Sequence, residues 1–226
     1  PLSAEHWRLV EAMVHAVRER WHEPDHGIWE IRKPPRHHVH SRVMCWMTIE
    51  RASEIADHYL GNIPEDWTQL ADEIRDDVLQ HGYKSDVGAF TAAYDGDDLD
   101  AAALHVGLSG LLDPDDDRFR STVEAIERHL RIGPTVYRYR SDDGLPGFEG
   151  GFHICASWLV ESYLRLGRLN DAWELFEQIV QLAGPTGLYS EQYGARTRRC
   201  LGNLPQAYSH IGIIENAVSL ARAGRA

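Results

Sequence analysis

Apolar residues at helical spacing, interrupted by four long loops, constrain the fold of this chain more than any other sequence feature. The stripes begin at Trp7, Met44, Trp67, Phe119, Ala172 and Tyr208. Apolar side chains three and four residues apart are typical of helices with one buried face. Two further segments, 99–112 and 155–166, are apolar on most sides and fit enclosed helices. The pattern predicts an all-α fold of about eight helices in one domain over residues 1–226.

The loops are unusual for a helical domain. They run over 23–40, 82–98, 133–151 and 184–205, and each is rich in Gly, Pro, aromatic and charged residues. Long loops in a compact domain are more often functional than accidental. Because they alternate with pairs of helices, the simplest architecture is a ring of helical hairpins whose loops form a pocket at one end.

Composition and charge restrict the class of partner. With 226 residues, 43% of them apolar, the chain is large enough for a core. Seven Trp and nine Tyr suit both a core and a cleft for the flat, apolar faces of sugars. The net charge of −12 argues against nucleic acid, and no apolar run predicts a membrane span. Three Cys without metal-ligand spacing favour a reducing cytoplasm.

Two glutamates in aromatic loops are candidates for acid–base chemistry. Glu30 follows Trp29 between apolar neighbours, and surroundings of that kind favour the protonated form of a carboxyl group, as a general acid requires. Glu191 lies among Ser190, Gln192 and Tyr193, whose polar groups suit an ionised carboxylate and a water molecule, as a general base requires. On composition alone, a solvated surface glutamate is the commoner interpretation of either residue.

Several motifs resemble those of glycoside hydrolase family 15, the glucoamylase and trehalase group. They are GIWE at 27–30, RHHVHSRVMCW at 36–46, YRY at 137–139, GLPGFEG at 144–150, CASWL at 155–159, SEQY at 190–193 and LGNLPQAYSH at 201–210. The motifs stand in the order found in the family and cover nearly the whole chain. Each is weak alone, and their order makes the resemblance specific.

The resemblance implies an (α/α)6 barrel and an inverting hydrolase. Glu30 would be the general acid and Glu191 the general base, separated by about 6.5–9.5 Å so that a water molecule fits between them. The expected substrate contacts are Ile28, Trp29, Arg138, Glu149 and Tyr193. Neither a metal nor a cofactor is expected. The expected substrate is an α-glucosidic oligosaccharide or α-glucan, cleaved to release β-glucose, with trehalose as the second choice.

Two other classes of function stay open. Segment 166–178 resembles a helical-repeat hairpin, so a non-catalytic scaffold is an alternative, although no fixed repeat period is present. A barrel remnant that keeps both glutamates without activity is another. His37, His38 and His40 fit packing at a helix start better than a metal site, and the acidic residues of 97–100 fit helix capping better than calcium binding.

About eight helices do not complete the twelve of such a barrel. The resemblance covers its C-terminal two-thirds, and an incomplete barrel exposes apolar helix faces, which favours association. We therefore expect a homo-oligomer or a further N-terminal segment to complete the barrel. A fully active monomer in light scattering would contradict that expectation.

Overall fold

The computed structural model describes residues 2–141 and 149–224. Within them the chain forms eight α-helices, as the apolar stripes predict. They are α1 (Ala4–Arg20), α2 (Val39–Leu60), α3 (Glu65–His81), α4 (His105–Leu108), α5 (Asp117–Leu130), α6 (His153–Arg165), α7 (Leu169–Val180) and α8 (Ala207–Ala223). Two 3₁₀ helices span Ala101–Leu104 and Gln181–Thr186.

The helices pack against one another around a continuous apolar core. Helix α2 lies against α1 and α3, and α6 lies against α4, α5, α7 and α8. Helices α2, α4, α6 and α8 thus form an inner layer that α1, α3, α5 and α7 cover. The predicted enclosed helix at 99–112 is shorter than expected, because Gly107 and Gly110 are poor helix formers and Gly110 adopts a positive φ of 91°.

In the described part of the chain the loops contain seven short strands, which the sequence did not predict. They are β1 (Tyr83–Lys84), β2 (Ala89–Phe90), β3 (Arg131–Ile132), β4 (Thr135–Val136), β5 (Gly151–Phe152), β6 (Gln192–Gly194) and β7 (Arg199–Leu201). Strands β3 to β7 form one antiparallel sheet in chain order, and β1 pairs with β2. Each strand has only two or three residues, too few to give a period-two pattern.

The central pairing of this sheet joins two distant loops. Gly151 pairs with Tyr193, and Phe152 pairs with Gln192. Glycine is required here, because a Cβ atom on Gly151 would lie 2.3 Å from the Thr135 Cβ atom and one on Gly150 would lie 2.6 Å from a backbone oxygen. The close approach of the strands brings the start of α6 beside residue 191.

No helix within residues 2–141 and 149–224 is long and apolar enough to cross a membrane.

Candidate active site

A pocket of about 550 Å³ opens where the first and fourth loops meet strand β5 and the helices α6 and α8. Its lining is mostly apolar and aromatic, with one carboxylate. The lining residues are Ile28, Trp29, Phe152, Ile154, Trp158, Glu191, Gln206, Tyr208 and Ser209. Pockets with apolar walls and a few polar groups are typical of small-molecule sites. Three of the predicted site residues, the neighbours Ile28 and Trp29 and the distant Glu191, therefore share one cavity.

Trp29 is fixed in the pocket wall by aromatic and polar contacts. Its ring centroid lies 5.8 Å from that of Phe152 and 6.0 Å from that of Trp158. Its indole N–H donates to the carboxylate of Asp100, with N–O distances of 3.0 and 2.9 Å. Trp158 lies in segment 155–166, which the sequence predicts as an enclosed helix, but its ring also lines the pocket. Helical periodicity does not distinguish a core face from a pocket face.

Glu30 follows Trp29 directly but is exposed and does not line the pocket. Its φ of 50° is a left-handed conformation that is uncommon for a residue other than glycine. Strained backbone of this kind persists where surrounding structure holds it and is enriched at functional sites. The apolar enclosure expected from its sequence neighbours is not formed by the described residues, because Ile28 is itself 41% exposed.

The loop that carries Glu30 is held by Asp25. One carboxylate oxygen of Asp25 accepts the Gly27 N–H at 2.6 Å and the Ser41 hydroxyl at 2.7 Å. The other carboxylate oxygen accepts a hydrogen bond from the Arg42 guanidinium at 2.8 Å, and the Arg42 side chain is only 2% exposed. The turn at 27–30 is therefore anchored to the first turns of α2.

Glu191 is held by a different part of the 184–205 loop from the one expected. The Asn203 backbone N–H and side-chain amide donate to Glu191 Oε2 at 3.1 and 3.3 Å. Ser190 and Gln192, predicted to serve the carboxylate, bond to the backbone instead: Ser190 donates to the Gln192 carbonyl, and Gln192 Oε1 accepts the Gly150 N–H. Period-two alternation explains the difference, because neighbours in an extended segment point to opposite sides.

Arg138 and Glu149 form an ion pair close to the pocket wall. The guanidinium carbon of Arg138 lies 5.2 Å from the Trp29 ring centroid and 4.7 Å from that of Phe152. Arg138 is thus brought beside two lining residues, and Glu149 comes with it. The remainder of the 144–150 motif, residues 144–148, lies outside the described residues.

Tyr193, the last predicted contact, is placed elsewhere. It lines a separate pocket with Ile132, Pro134 and Arg198, and none of the residues around that pocket lines the one that holds Glu191. Tyr193 follows Glu191 by two residues, but the strand β6 and its pairing with Gly151 direct this part of the chain into the sheet.

The histidines near α2 make packing and hydrogen-bonding contacts, as expected. His37 lies 2.6 Å from an Arg42 nitrogen through Nδ1, and His38 directly precedes α2. His40 contacts His105 edge-on, with ring centroids 5.1 Å apart. Among the described residues no group of three His, Cys, Asp or Glu side chains is arranged to hold a metal ion.

Comparison with known proteins identifies a family for this chain. Residues 1–218 match the family model described as glycosyl hydrolases family 15. The chain belongs to that family. Family 15 was the resemblance that the motifs around Glu30, Arg138 and Glu191 indicated, and the matched range includes all of them.

Curated relatives of this family 15 chain are considerably longer. A trehalase of Mycobacterium tuberculosis is 41% identical over 221 residues, which are 96% of this chain and 32% of that protein. A trehalase of Thermoplasma volcanium is 35% identical over 219 residues, 96% of this chain and 35% of that protein. The chain therefore spans about a third of the length of the relatives it matches.

Solved structures support the family 15 fold. A wild-type glycosidase superposes with a TM-score of 0.79 at 21% identity, covering 96% of this chain and 61% of the other. A bacterial glucoamylase in complex with acarbose superposes with a TM-score of 0.77 at 13% identity, covering 96% and 39%. The fold is thus mostly helical and corresponds to part of the helical toroid of these enzymes.

Proposed function

We propose that this chain carries the catalytic site of an inverting α-glucoside hydrolase, with Glu30 as general acid and Glu191 as general base. The observation that carries the proposal is that Glu191 and the Ile28–Trp29 turn line one aromatic pocket although they are distant in sequence. Sugar rings stack on such walls, and carboxylates on two sides of a glycosidic bond are the groups that this hydrolysis needs.

The proposed reaction uses each glutamate once. Glu30 gives its proton to the glycosidic oxygen as the bond from that oxygen to the anomeric carbon breaks. Glu191 takes a proton from a water molecule whose oxygen forms the new bond to the same carbon from the opposite face. Asn203 supports Glu191 in this role, because donors on Oε2 stabilise a carboxylate and fix its orientation. Trp29, Ile28 and Arg138, with Glu149, would hold the terminal glucose.

Trehalose is the substrate that the comparisons favour. The relatives named trehalases are 35–41% identical over nearly all of this chain, whereas the glucoamylase similarity is at 13% and concerns the fold. We therefore place trehalose ahead of the α-glucans that the motifs alone put first. Glucoamylase-like release of β-glucose from α-glucans is the second candidate.

The pocket wall is completed, in this proposal, by the part of the protein that the longer relatives have in addition. Helix α8 supports this, because four apolar side chains along one face of it are strongly exposed. They are Tyr208 (69%), Ile211 (50%), Ile214 (62%) and Val218 (44%). An apolar stripe of this length is expected to be covered. Residues 1–226 would then form one helical unit of a closed barrel, and light scattering with and without the extension tests this. A stable dimer of the 226-residue chain would favour a second copy as the cover.

Product stereochemistry tests the function directly. Incubation with trehalose should release one β-glucose and one α-glucose per bond, because inversion affects only the attacked carbon. Proton NMR in the first minutes distinguishes the anomers, and two α-glucose molecules would reject inversion. Maltose, isomaltose and maltotriose tested in parallel distinguish the glucoamylase-like alternative. The assay should use both the 226-residue chain and an N-terminally extended form.

Two variants and a control assign the glutamates. Glu30→Gln and Glu191→Gln should each lower kcat by about 10²–10⁴-fold without unfolding the protein, because acid–base catalysis contributes that much. Glu124→Gln, at an exposed position of α5, should leave kcat unchanged. Hydrolysis that survives both substitutions would contradict the roles, and a lack of hydrolysis in every form would favour the scaffold or remnant interpretation.

A further inference from the structure

Asp100 is a buried carboxylate in contact with the pocket wall, and sequence reasoning assigned it only a capping role. Its residue exposure is 5%, and both of its oxygens lie within hydrogen-bond distance of the Trp29 indole nitrogen. Trp29 belongs to the first long loop, whereas Asp100 follows the second. The hydrogen bond therefore anchors the Trp29 ring, which lies in a loop and lines the pocket, to the buried Asp100.

The same corner of the chain also holds Arg138. The Ala101 N–H donates to the Arg138 carbonyl at 2.8 Å, while the Ala102 N–H donates to Asp100 Oδ1 at 2.8 Å. The Arg138 guanidinium lies over the Trp29 ring. Asp100 thus holds the Trp29 ring, and Ala101 holds the backbone of Arg138, whose guanidinium lies beside that ring.

A helix cap alone does not require this burial. Asp116 caps α5 in the same way, accepting the Arg118 N–H at 2.9 Å, from a partly exposed position. Burial of Asp100 removes water from its carboxylate and raises its pKa to about 6, which opposes the charged form that the Trp29 and Ala102 donors favour. Serine at this position would cap the helix equally well without that cost.

We propose that Asp100 is a positioning residue of the sugar pocket, which sets the orientation of the Trp29 ring and, through Ala101, the position of Arg138. This inference rests on the proposed function, because it assigns the Trp29 ring to the wall on which the terminal glucose stacks. Asp100 itself does not line the pocket and acts through Trp29.

Asp100→Ser tests the proposal against the capping interpretation, with Asp116→Ser as the matched control. Serine keeps the cap at both positions but is too short to reach the Trp29 indole. In ¹⁵N-tryptophan-labelled protein, the Trp29 indole resonance, assigned by its loss in Trp29→Phe, should move upfield in Asp100→Ser and stay in place in Asp116→Ser. An unmoved resonance in Asp100→Ser would overturn the proposal.

Binding measurements complete the test. Glucose affinity, by titration in the labelled protein, should fall about 10-fold or more in Asp100→Ser, since a hydrogen bond to a charged group is lost. In the Trp29→Phe background the same substitution should change affinity less than about twofold, because coupled residues are not additive. Unchanged affinity in Asp100→Ser with a shifted resonance overturns the positioning role but leaves the proposed function intact.

Two further outcomes need their own interpretation. If Asp100→Ser does not fold, Asp100→Asn replaces it, because the amide keeps the cap and offers Trp29 only a neutral acceptor. Glucose affinity that is severalfold weaker in Asp100→Asn supports the positioning role, and unchanged glucose affinity overturns it. If the unmodified protein, including the extended form, binds neither glucose nor trehalose, the proposed function fails and this inference fails with it.

Discussion

The backbone of residue 202 passes so close to the Glu191 carboxylate that a side chain there would displace it. A Cβ atom on Gly202 would lie 2.5 Å from Glu191 Oε2, and the backbone of Gly202 has a φ of 71°. The next residue, Asn203, donates to the same oxygen. Residues 202 and 203 together determine where that oxygen sits, which is the property that a general base requires.

We predict that Gly202→Ala lowers kcat at least about 10-fold, because the new methyl group displaces the carboxylate from its donors. Gly88→Ala is the matched control, since Gly88 has the same φ of 71° but no atom within 4 Å of an added Cβ. Both variants should lose about 1–2 kcal/mol of stability from the left-handed backbone. Steady-state kinetics and urea unfolding measure the two effects. Equal kcat values for both variants would contradict the predicted displacement.

Asp100 makes a separate prediction about pH. Its pKa is raised by burial from 3.8 to about 6, so between these values the folded protein binds a proton that the unfolded chain releases. The contribution of Asp100 to stability is therefore present below about pH 4 and is lost as pH rises through about 6. Relative to Asp100→Asn, the wild-type free energy of unfolding should fall by about 2 kcal/mol from pH 4 to pH 7. A difference that is constant across this range in urea unfolding would contradict the raised pKa.

At the scale of elements, the sequence predicts the helices, which have a regular apolar period, and misses the short strands, which form through tertiary contacts. The stripes from Trp7, Trp67 and Phe119 predict α1, α3 and α5 because each packs one face of a helix against the core, a face that is buried in α3 and α5 and mostly half-buried in α1. The two- and three-residue strands have no period to read, and their pairing depends on close approach at Gly151. The prediction that Asp100 caps a helix is correct but incomplete. A local sequence pattern does not reveal its second partner, Trp29, which lies 71 residues away.

The junction of the first loop with α2 depends on one ion pair whose arginine is buried. Arg42 is 2% exposed and bonds to Asp25 and, at 2.6 Å, to the Glu23 carbonyl. Arg42→Ala removes the buried guanidinium from Asp25, which is 33% exposed and keeps its Gly27 and Ser41 donors, and from the Glu23 carbonyl, so it should lower the free energy of unfolding by about 2 kcal/mol. It should also weaken sugar binding, because the turn that carries Trp29 loses its anchor.

Arg51→Ala is the control for this element. Arg51 and Glu54 form an ion pair on the same helix, with side chains 56% and 61% exposed. Its loss should change stability by less than about 1 kcal/mol, as surface pairs do. Urea unfolding of both variants makes the comparison, and similar losses in the two would show that the Arg42 pair is not the anchor.

At the scale of the whole molecule, three of the inner helices each carry a histidine whose pKa is lowered by burial, so that its imidazole is neutral at pH 7. Burial lowers the pKa of His40 to about 3 and those of His105 and His153 to about 4. These residues lie on α2, α4 and α6. The unfolded chain takes up protons at these positions below about pH 6.5, whereas the folded protein does not. The three histidines thus destabilise the fold as pH falls, and Asp100 opposes them over part of the range.

His153 gives the clearest test of this balance, because it is 1% exposed. Burial is the main cause of its low pKa, and His210 adds to it; Tyr189 and Tyr193 are the other titratable groups that face the ring. Its stabilising contribution is present above about pH 6.5 and is lost as pH falls towards 4. Between pH 7 and pH 5, the free energy of unfolding of the wild-type protein should fall by about 2 kcal/mol more than that of His153→Gln.

His129→Gln, at an exposed site on α5, is the control, and its free energy of unfolding should depend on pH as the wild-type value does. Urea unfolding at pH 7, 6 and 5 measures the slopes, and parallel slopes for wild type and His153→Gln would mean that His153 titrates normally in the folded protein.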